Sequence, residues 1–196
     1  MSTFNGWPIV TLPTFPPAPK AIEWDLDDVV GSNKSPFSLQ KQFYQWNQSI
    51  LRASVSYPLM SAAQARAWWA FLASLQGMYA VFSLGDPMNQ GPQNPAATAG
   101  TVTGSGQTGY ALITSSSGLL PGDWFSLGLR LYLVVSASGG DLTIWPPIRE
   151  SPAGGTDLVI TAAQGLFRLT KNSRRLAVDV ANSRNYEVTF EIEEAL

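Results

Sequence analysis

The 196-residue chain has no cysteine and no histidine. The first absence excludes disulfides, thiolate nucleophiles and cysteine-ligated metal sites. The second excludes imidazole as a general base, and with it every Ser-His-Asp arrangement. Any enzymatic chemistry would have to rest on carboxylate, lysine, tyrosine or hydroxyl groups. Charge is the third shortage. Asp, Glu, Lys and Arg make up 13% of the residues, about half the usual share. The net charge of −2 leaves no electrostatic footprint for nucleic acid or for an anionic membrane. The scarcity is uneven: between Arg52 and Asp123 only Arg66 and Asp86 are charged. A surface so poor in charge either faces other protein or meets water through Ser, Thr, Asn, Gln and Gly. Both alternatives point towards assembly rather than catalysis.

What is present is ample apolar material for a core, 45% of the chain. Residues 1–20 hold Pro8, Pro13, Pro16, Pro17 and Pro19 and have no basic start followed by an apolar run. They are expected as an extended Pro-rich arm, able to reach a neighbour, rather than a signal peptide. Residues 21–26 alternate Ile22, Trp24 and Leu26 with polar neighbours, the pattern of a half-buried strand. Residues 38–46 and 50–57 read as an antiparallel hairpin turning at Asn47-Gln48. Pro58 stops the run. Ser61 with Gln64 makes an S-x-x-Q capping box, and residues 62–76 form the one convincing helix. Its apolar stripe is Ala65, Trp68, Trp69, Leu72 and Leu75, and Gly77 sits at a left-handed C-cap. Ala67, Ala70 and Phe71 widen that stripe, so burial on most sides is expected, by the chain's own sheet and by a neighbouring subunit. A strand follows at 78–84. The apolar run 67–84 approaches the length of a membrane span, but Gln76-Gly77 interrupts it, and no membrane insertion is expected.

From residue 88 the texture changes. Residues 88–100 are rich in Asn, Gln, Pro, Gly and Ala, as at a junction. Short strand candidates then recur at 101–103, 110–114, 124–127, 129–135 and 141–145, separated by Gly- and Pro-rich turns. Such spacing suits a small barrel or sandwich. Further strands at 158–161, 165–170, 175–180 and 185–191 follow, with alternation of Leu176, Val178 and Val180 and of Tyr186, Val188 and Phe190. The simplest organisation is mainly β: a β-sandwich with one flanking helix, built from residues 21–90 and 158–196, with a small β domain inserted at 91–157.

Four constellations could carry chemistry, and each has a plainer explanation. Asp25, Asp27 and Asp28 cluster like a calcium loop, but the template needs Gly at its sixth position and Glu at its twelfth; Val30 and Pro36 stand there. Glu187, Glu191, Glu193 and Glu194 offer the paired carboxylates of glycoside hydrolysis, yet Glu187 and Glu191 share one face of a strand, as on a solvated or lumen-facing sheet. Gly104, Gly106 and Gly109 spell G-x-G-x-x-G, but a strand follows where a dinucleotide site requires a helix. Seven tryptophans include Trp68 and Trp69 on the helix and Trp24, Trp46, Trp124 and Trp145 on strands, where core packing or subunit contact explains them better than sugar stacking. No catalytic, cofactor-binding or metal site is assigned, and no enzymatic activity is expected.

A sequence texture over about 140 residues carries a resemblance. Tyr57-Pro58 leads into ARAWWAFLASLQG (65–77) and YAVFSLGDP (79–87). GQTGYAL (106–112), LLPGDWFSLG (119–128), RLYLVV (130–135) and WPPIRESP (145–152) follow. In this order they resemble the distal tail proteins of long-tailed, siphovirus-like bacteriophages, the tail-tip or baseplate family. The resemblance implies a tail-tube-like β-sandwich belt domain with one helix, plus an outer inserted β domain. It implies a homohexameric ring in the virion, assembled in the host cytoplasm. Its partners would be the tail tube protein, the tail-tip hub, the tape measure and the receptor-binding proteins, with DNA only in transit through the lumen. An acidic strand face at Glu187 and Glu191 would suit that lumen. Two other readings stay open: another tail tube or terminator protein, and a carbohydrate-binding module.

Overall fold

A computed structural model describes residues 2–16, 18–179 and 185–196. In chain order these contain β1 (Thr3–Phe4), β2 (Trp7–Pro8), β3 (Ala21–Lys34), β4 (Lys41–Ser56), α1 (Ala62–Ser74), β5 (Phe82–Leu84), β6 (Gly109–Ile113), β7 (Trp124–Leu127), β8 (Arg130–Ser138), β9 (Asp141–Ile148), β10 (Leu158–Val159), β11 (Gly165–Leu169), β12 (Leu176–Asp179) and β13 (Asn185–Glu194). The fold is mainly β, with antiparallel sheets and α1 as the one helix among the described residues. No helix among them is long and apolar enough to cross a membrane.

The first sheet runs β3-β4-β13-β11-β5, with β12 also on β13. Period-two alternation decides its faces. Leu51, Ala53 and Val55 on β4 turn inward beside Val188 and Ile192 on β13, while Arg52, Ser54 and Ser56 point outward. Helix α1 covers part of the inner face. Trp68 is fully buried there, with its ring 4.0 Å from Tyr57, 5.5 Å from Phe71 and 6.1 Å from Phe190. Gln64 returns to the start of the helix, its Oε1 accepting from the Ser61 N–H at 2.9 Å. The helix ends at Ser74, two residues before the expected 76, because Gln76 and Gly77 both take left-handed φ values of 50° and 75°. The resulting turn consumes most of the strand expected at 78–84 and leaves Phe82–Leu84.

Two expectations change. The hairpin expected to turn at Asn47-Gln48 is one long ribbon. Val30 pairs with Gln45 and Asp28 with Ser49, so Trp46, Asn47 and Gln48 stand opposite Val29 alone. The polar turn signal marks a bulge, and the chain reverses at residues 35–40. There Ser35 Oγ accepts from the Phe37 and Ser38 N–H groups and Leu39 adopts φ 58°. The Pro-rich arm also folds back onto its own body. Asn5-Gly6 makes a tight turn with both φ values positive, Phe4, Trp7 and Ile9 pack on Val81, Leu166 and Ala195, and the Phe15 carbonyl accepts from Trp68 Nε1 at 3.0 Å. Within the single chain, α1 buries one side against its own sheet. Ala62, Ala63, Ala67, Trp69, Ala70 and Ala73 remain exposed in the single chain.

All strands of the second sheet, β10-β7-β8-β9-β6, lie between β5 and β11 in sequence. Bridges from Thr101 to Asp157 and from Val102 to Thr114 join its edges. The sheet thus curls into a small barrel around Leu112, Phe125, Tyr132, Val134 and Ile144. Leu158–Val159, expected in the first sheet, pairs with Leu127 and Ser126 instead, because Leu158 and Ile160 bury in the barrel core. The backbone of 176–179 pairs with β13; Val180 and the side chains of Leu176 and Val178 lie outside the described residues.

Two outcomes follow. Trp68→Glu places a charge at the aromatic centre and abolishes cooperative folding, since removing a buried Trp alone costs roughly 3–5 kcal/mol. Trp69, 56% exposed, tolerates Glu with a melting temperature near that of the parent; circular-dichroism melts of both variants check this. Burial also pushes the Tyr57 phenol up to about 12. Its protonated form is therefore favoured in the folded state, and that stability is complete below about pH 10 and lost as pH rises through 12. Burial raises Tyr132 as well, so a titration followed at 295 nm should show two late-ionising tyrosines, and Tyr57→Phe should remove one of them.

Candidate functional site

The outer face of the first sheet is an exposed, polar surface. Alternation on β3 places Glu23, Asp25 and Asp27 outward, and on β13 it places Glu187, Glu191 and Glu193 outward. Arg52 on β4 stands between them in register, paired with Asp27 and 3.7 Å from Glu193. Lys171 holds Glu191 at 2.7 Å, and this hydrogen-bonded ammonium, helped by Thr170, lowers the Glu191 pKa. Glu23, Asp25 and Glu187 have no ion pair among the described residues. Carboxylates therefore outnumber cations across the exposed face. The N-terminal hairpin covers only its β5–β11 end, where Arg168 lies 4.1 Å from the centre of the Trp7 ring. The Arg168 Nε and Nη2 groups are buried without hydrogen bonds, so the aromatic face substitutes for a carboxylate there.

The inner face is closed at its other end by the barrel, and an ion-pair latch fixes the two. Arg149, at the end of β9, donates from Nη2 and Nε to the two Glu194 oxygens at 2.6 and 3.2 Å. Its Nη2 also reaches the Ser49 carbonyl. Arg130 donates to the Ala195 carbonyl and lies 3.8 Å from Glu194. Glu194 is 5% exposed. Trp145 Nε1 donates to Asp28 Oδ1 at 2.8 Å, Trp24 meets Trp124 at 5.7 Å, and Ser126 Oγ both donates to and accepts from the Gln164 backbone. A Cβ at Gly165 would lie 2.8 Å from Leu131 Cβ, so the sheets meet too closely there for any side chain.

The sequence candidates disperse over this frame. Asp25 and Asp27 face outward while Asp28 bonds Trp145, so the three do not converge; among the described residues no group of three or more acidic side chains could hold a metal ion. Glu187 and Glu191 are exposed as expected of a solvated face, whereas Glu194 turns inward to the latch. Gly104, Gly106 and Gly109 all have φ between 75° and 81° with open space where a Cβ would stand. They form a turn that Gln107 closes on Thr103 and Ile113. Trp68 is core, Trp145 and Trp24 join the two units, and Trp46 and Trp69 are exposed. The latch escaped the sequence reading because its partners are 45 residues apart and no local pattern pairs Arg149 with Glu194.

Glu194→Ala takes the carboxylate from the half-buried Arg149 and from the buried Arg130 and should cost about 3–5 kcal/mol. Urea denaturation measures it, and limited proteolysis should cut faster at the two junctions flanking the barrel. Neither a protein-family model nor a curated protein matches this sequence.

Proposed function

We propose that the chain is a structural virion protein, a ring subunit at the distal end of a long phage tail that joins the tail tube to the tip hub and leaves a channel for DNA. The observation that carries this reading is the uncovered acidic face of the first sheet. A sheet with one face packed under a helix and a barrel and the other left polar suits the wall of a water-filled passage. A polyanion slides past carboxylates without the counterion release that drives binding to basic surfaces. The alanine-rich outer side of α1, with Trp69 exposed, supplies apolar surface for a neighbouring subunit. The role requires no catalytic group, and the subunits would be held by side-to-side contacts with copies of the same chain.

Electron microscopy and native mass spectrometry of the purified chain should find closed six-membered rings with an open centre. A monomer at assembly concentrations overturns the reading. In rings of the parent chain, duplex DNA should migrate unretarded. Rings carrying Glu23→Lys, Asp25→Lys, Glu187→Lys and Glu191→Lys together should retain it at about 50 mM salt and release it as salt rises towards 200 mM. Retention unchanged by these substitutions would place the acidic face outside the channel.

A further inference from the structure

The β3–β4 ribbon runs past the body of the fold. Beyond the Asp28–Ser49 pair its two strands hydrogen-bond only to each other, as far as Lys34 and Lys41. A two-stranded ribbon is marginal in water, and this one carries exposed apolar side chains on both faces. Val30 and Phe43 lie on one side, Tyr44 and Trp46 on the other, where Gly31 leaves room for the Trp46 ring. Phe37 stands at the turn with 98% of its surface exposed, and Leu39 beside it with 67%. The turn is hydrogen-bonded through Ser35 to both the Phe37 and the Ser38 N–H groups, and Ser35 N–H donates to the Gln40 carbonyl. The aromatic is thus presented on a preorganised loop, which lowers the entropy lost on docking. Together the exposed apolar side chains of the ribbon present on the order of 900 Å², comparable to one side of a standard interface.

Charge points to what covers this surface. Lys34 and Lys41 are the only charged residues from 29 to 48, and they stand directly opposite one another, where like charges repel. Removing those two from the chain's twelve bases leaves ten against fourteen acids, a net of −4 for the rest. The barrel is the one-signed part of that remainder. Asp141 and Asp157 are exposed with no ion pair among the described residues, whereas Glu150, past the far end of β9, lies 3.8 Å from Arg130; the barrel's two arginines, Arg130 and Arg149, are engaged with Glu194 in the latch. Its outer surface also exposes Ile113, in register with Asp141, and Val135. The alternative apolar surface, around Trp69, is flanked by Arg66, Arg174 and Arg175 and would repel the lysine pair.

We infer that the ribbon tip of one copy docks on the acidic barrel surface of a second copy, with Phe37, Phe43 and Trp46 as apolar anchors and Lys34 and Lys41 paired to barrel carboxylates. This deepens the ring reading and rests on it for the closure of the assembly. The contact joins two different patches, so it is heterologous and closes only as a ring.

The test combines a variant with a crosslink. Phe37→Ser, Phe43→Ser and Trp46→Ser together remove exposed side chains only, so the variant should fold with the parent's melting temperature. Its self-association, by mass photometry, should weaken by at least about 30-fold, the loss of one aromatic anchor. In a mixture of nitrogen-14 and nitrogen-15 chains, zero-length carbodiimide coupling should join Lys34 or Lys41 to Asp141 or Asp157 of a differently labelled copy. Assembly of the triple variant equal to the parent's overturns the inference and leaves the ring reading standing. So do crosslinks confined to one chain, or a ribbon that binds lipid vesicles in place of a copy. Association through these crosslinks into dimers or open filaments upholds the inference and overturns the ring.

Discussion

Strand β13 has to satisfy four sets of neighbours at once, and the rest of the molecule is arranged around it. It hydrogen-bonds to β4 on one side and to β11 and β12 on the other. Its inward residues Val188, Phe190 and Ile192 meet the helix and the aromatic cluster at Trp68. Its outward residues Glu187, Glu191 and Glu193 make half of the acidic face. Near its end Glu194 accepts from Arg149 of the barrel. A slip of one residue would exchange the two faces, drive three carboxylates into the core and pull Glu194 away from Arg149. Register is therefore set by the alternation and sealed by the latch.

The latch also explains how two β units behave as one body. A buried ion pair adds little net stability, because desolvation offsets most of the attraction. Its consequence is geometric: Arg149 meets both Glu194 oxygens and the Ser49 carbonyl together, which admits one placement of the barrel on the sheet. Apolar contacts fill that placement, with Leu131 and Trp145 of the barrel counted in the same core as Leu51 and Phe167. In the proposed ring, such rigidity keeps the ribbon and the barrel of each copy in a constant relation, as repeated heterologous contacts require.

Much of the local structure was legible residue by residue. The helix start at Ser61–Gln64, the inward set of β4 and β13, the glycine turn at 104–109 and the barrel strands between Pro- and Gly-rich turns all follow from short-range chemistry. The misreadings share one cause. Asn47-Gln48 looks like a turn in isolation, but the partner strand continues past it, so the same residues become a bulge. Residues 1–20 look extended because of their prolines, yet Phe4, Trp7 and Ile9 find an apolar patch on Val81 and Leu166 that no local pattern announces. Trp69 fits the helix stripe by spacing but lies outside the arc that the sheet covers.

The sequence by itself determined the absence of imidazole and thiol chemistry, the mainly β class, the single helix and the scarcity of charge, because composition and periodicity act within one element or over the whole chain. Only the tertiary structure decided which carboxylates face water and which one is buried, where the ribbon leaves the sheet, and that its aromatic tip has no cover of its own. Those outcomes depend on pairs far apart in sequence, such as Asp28 with Trp145 and Arg149 with Glu194. Such pairs contribute only after the chain has closed the loops between them, so no pattern of neighbouring residues announces them.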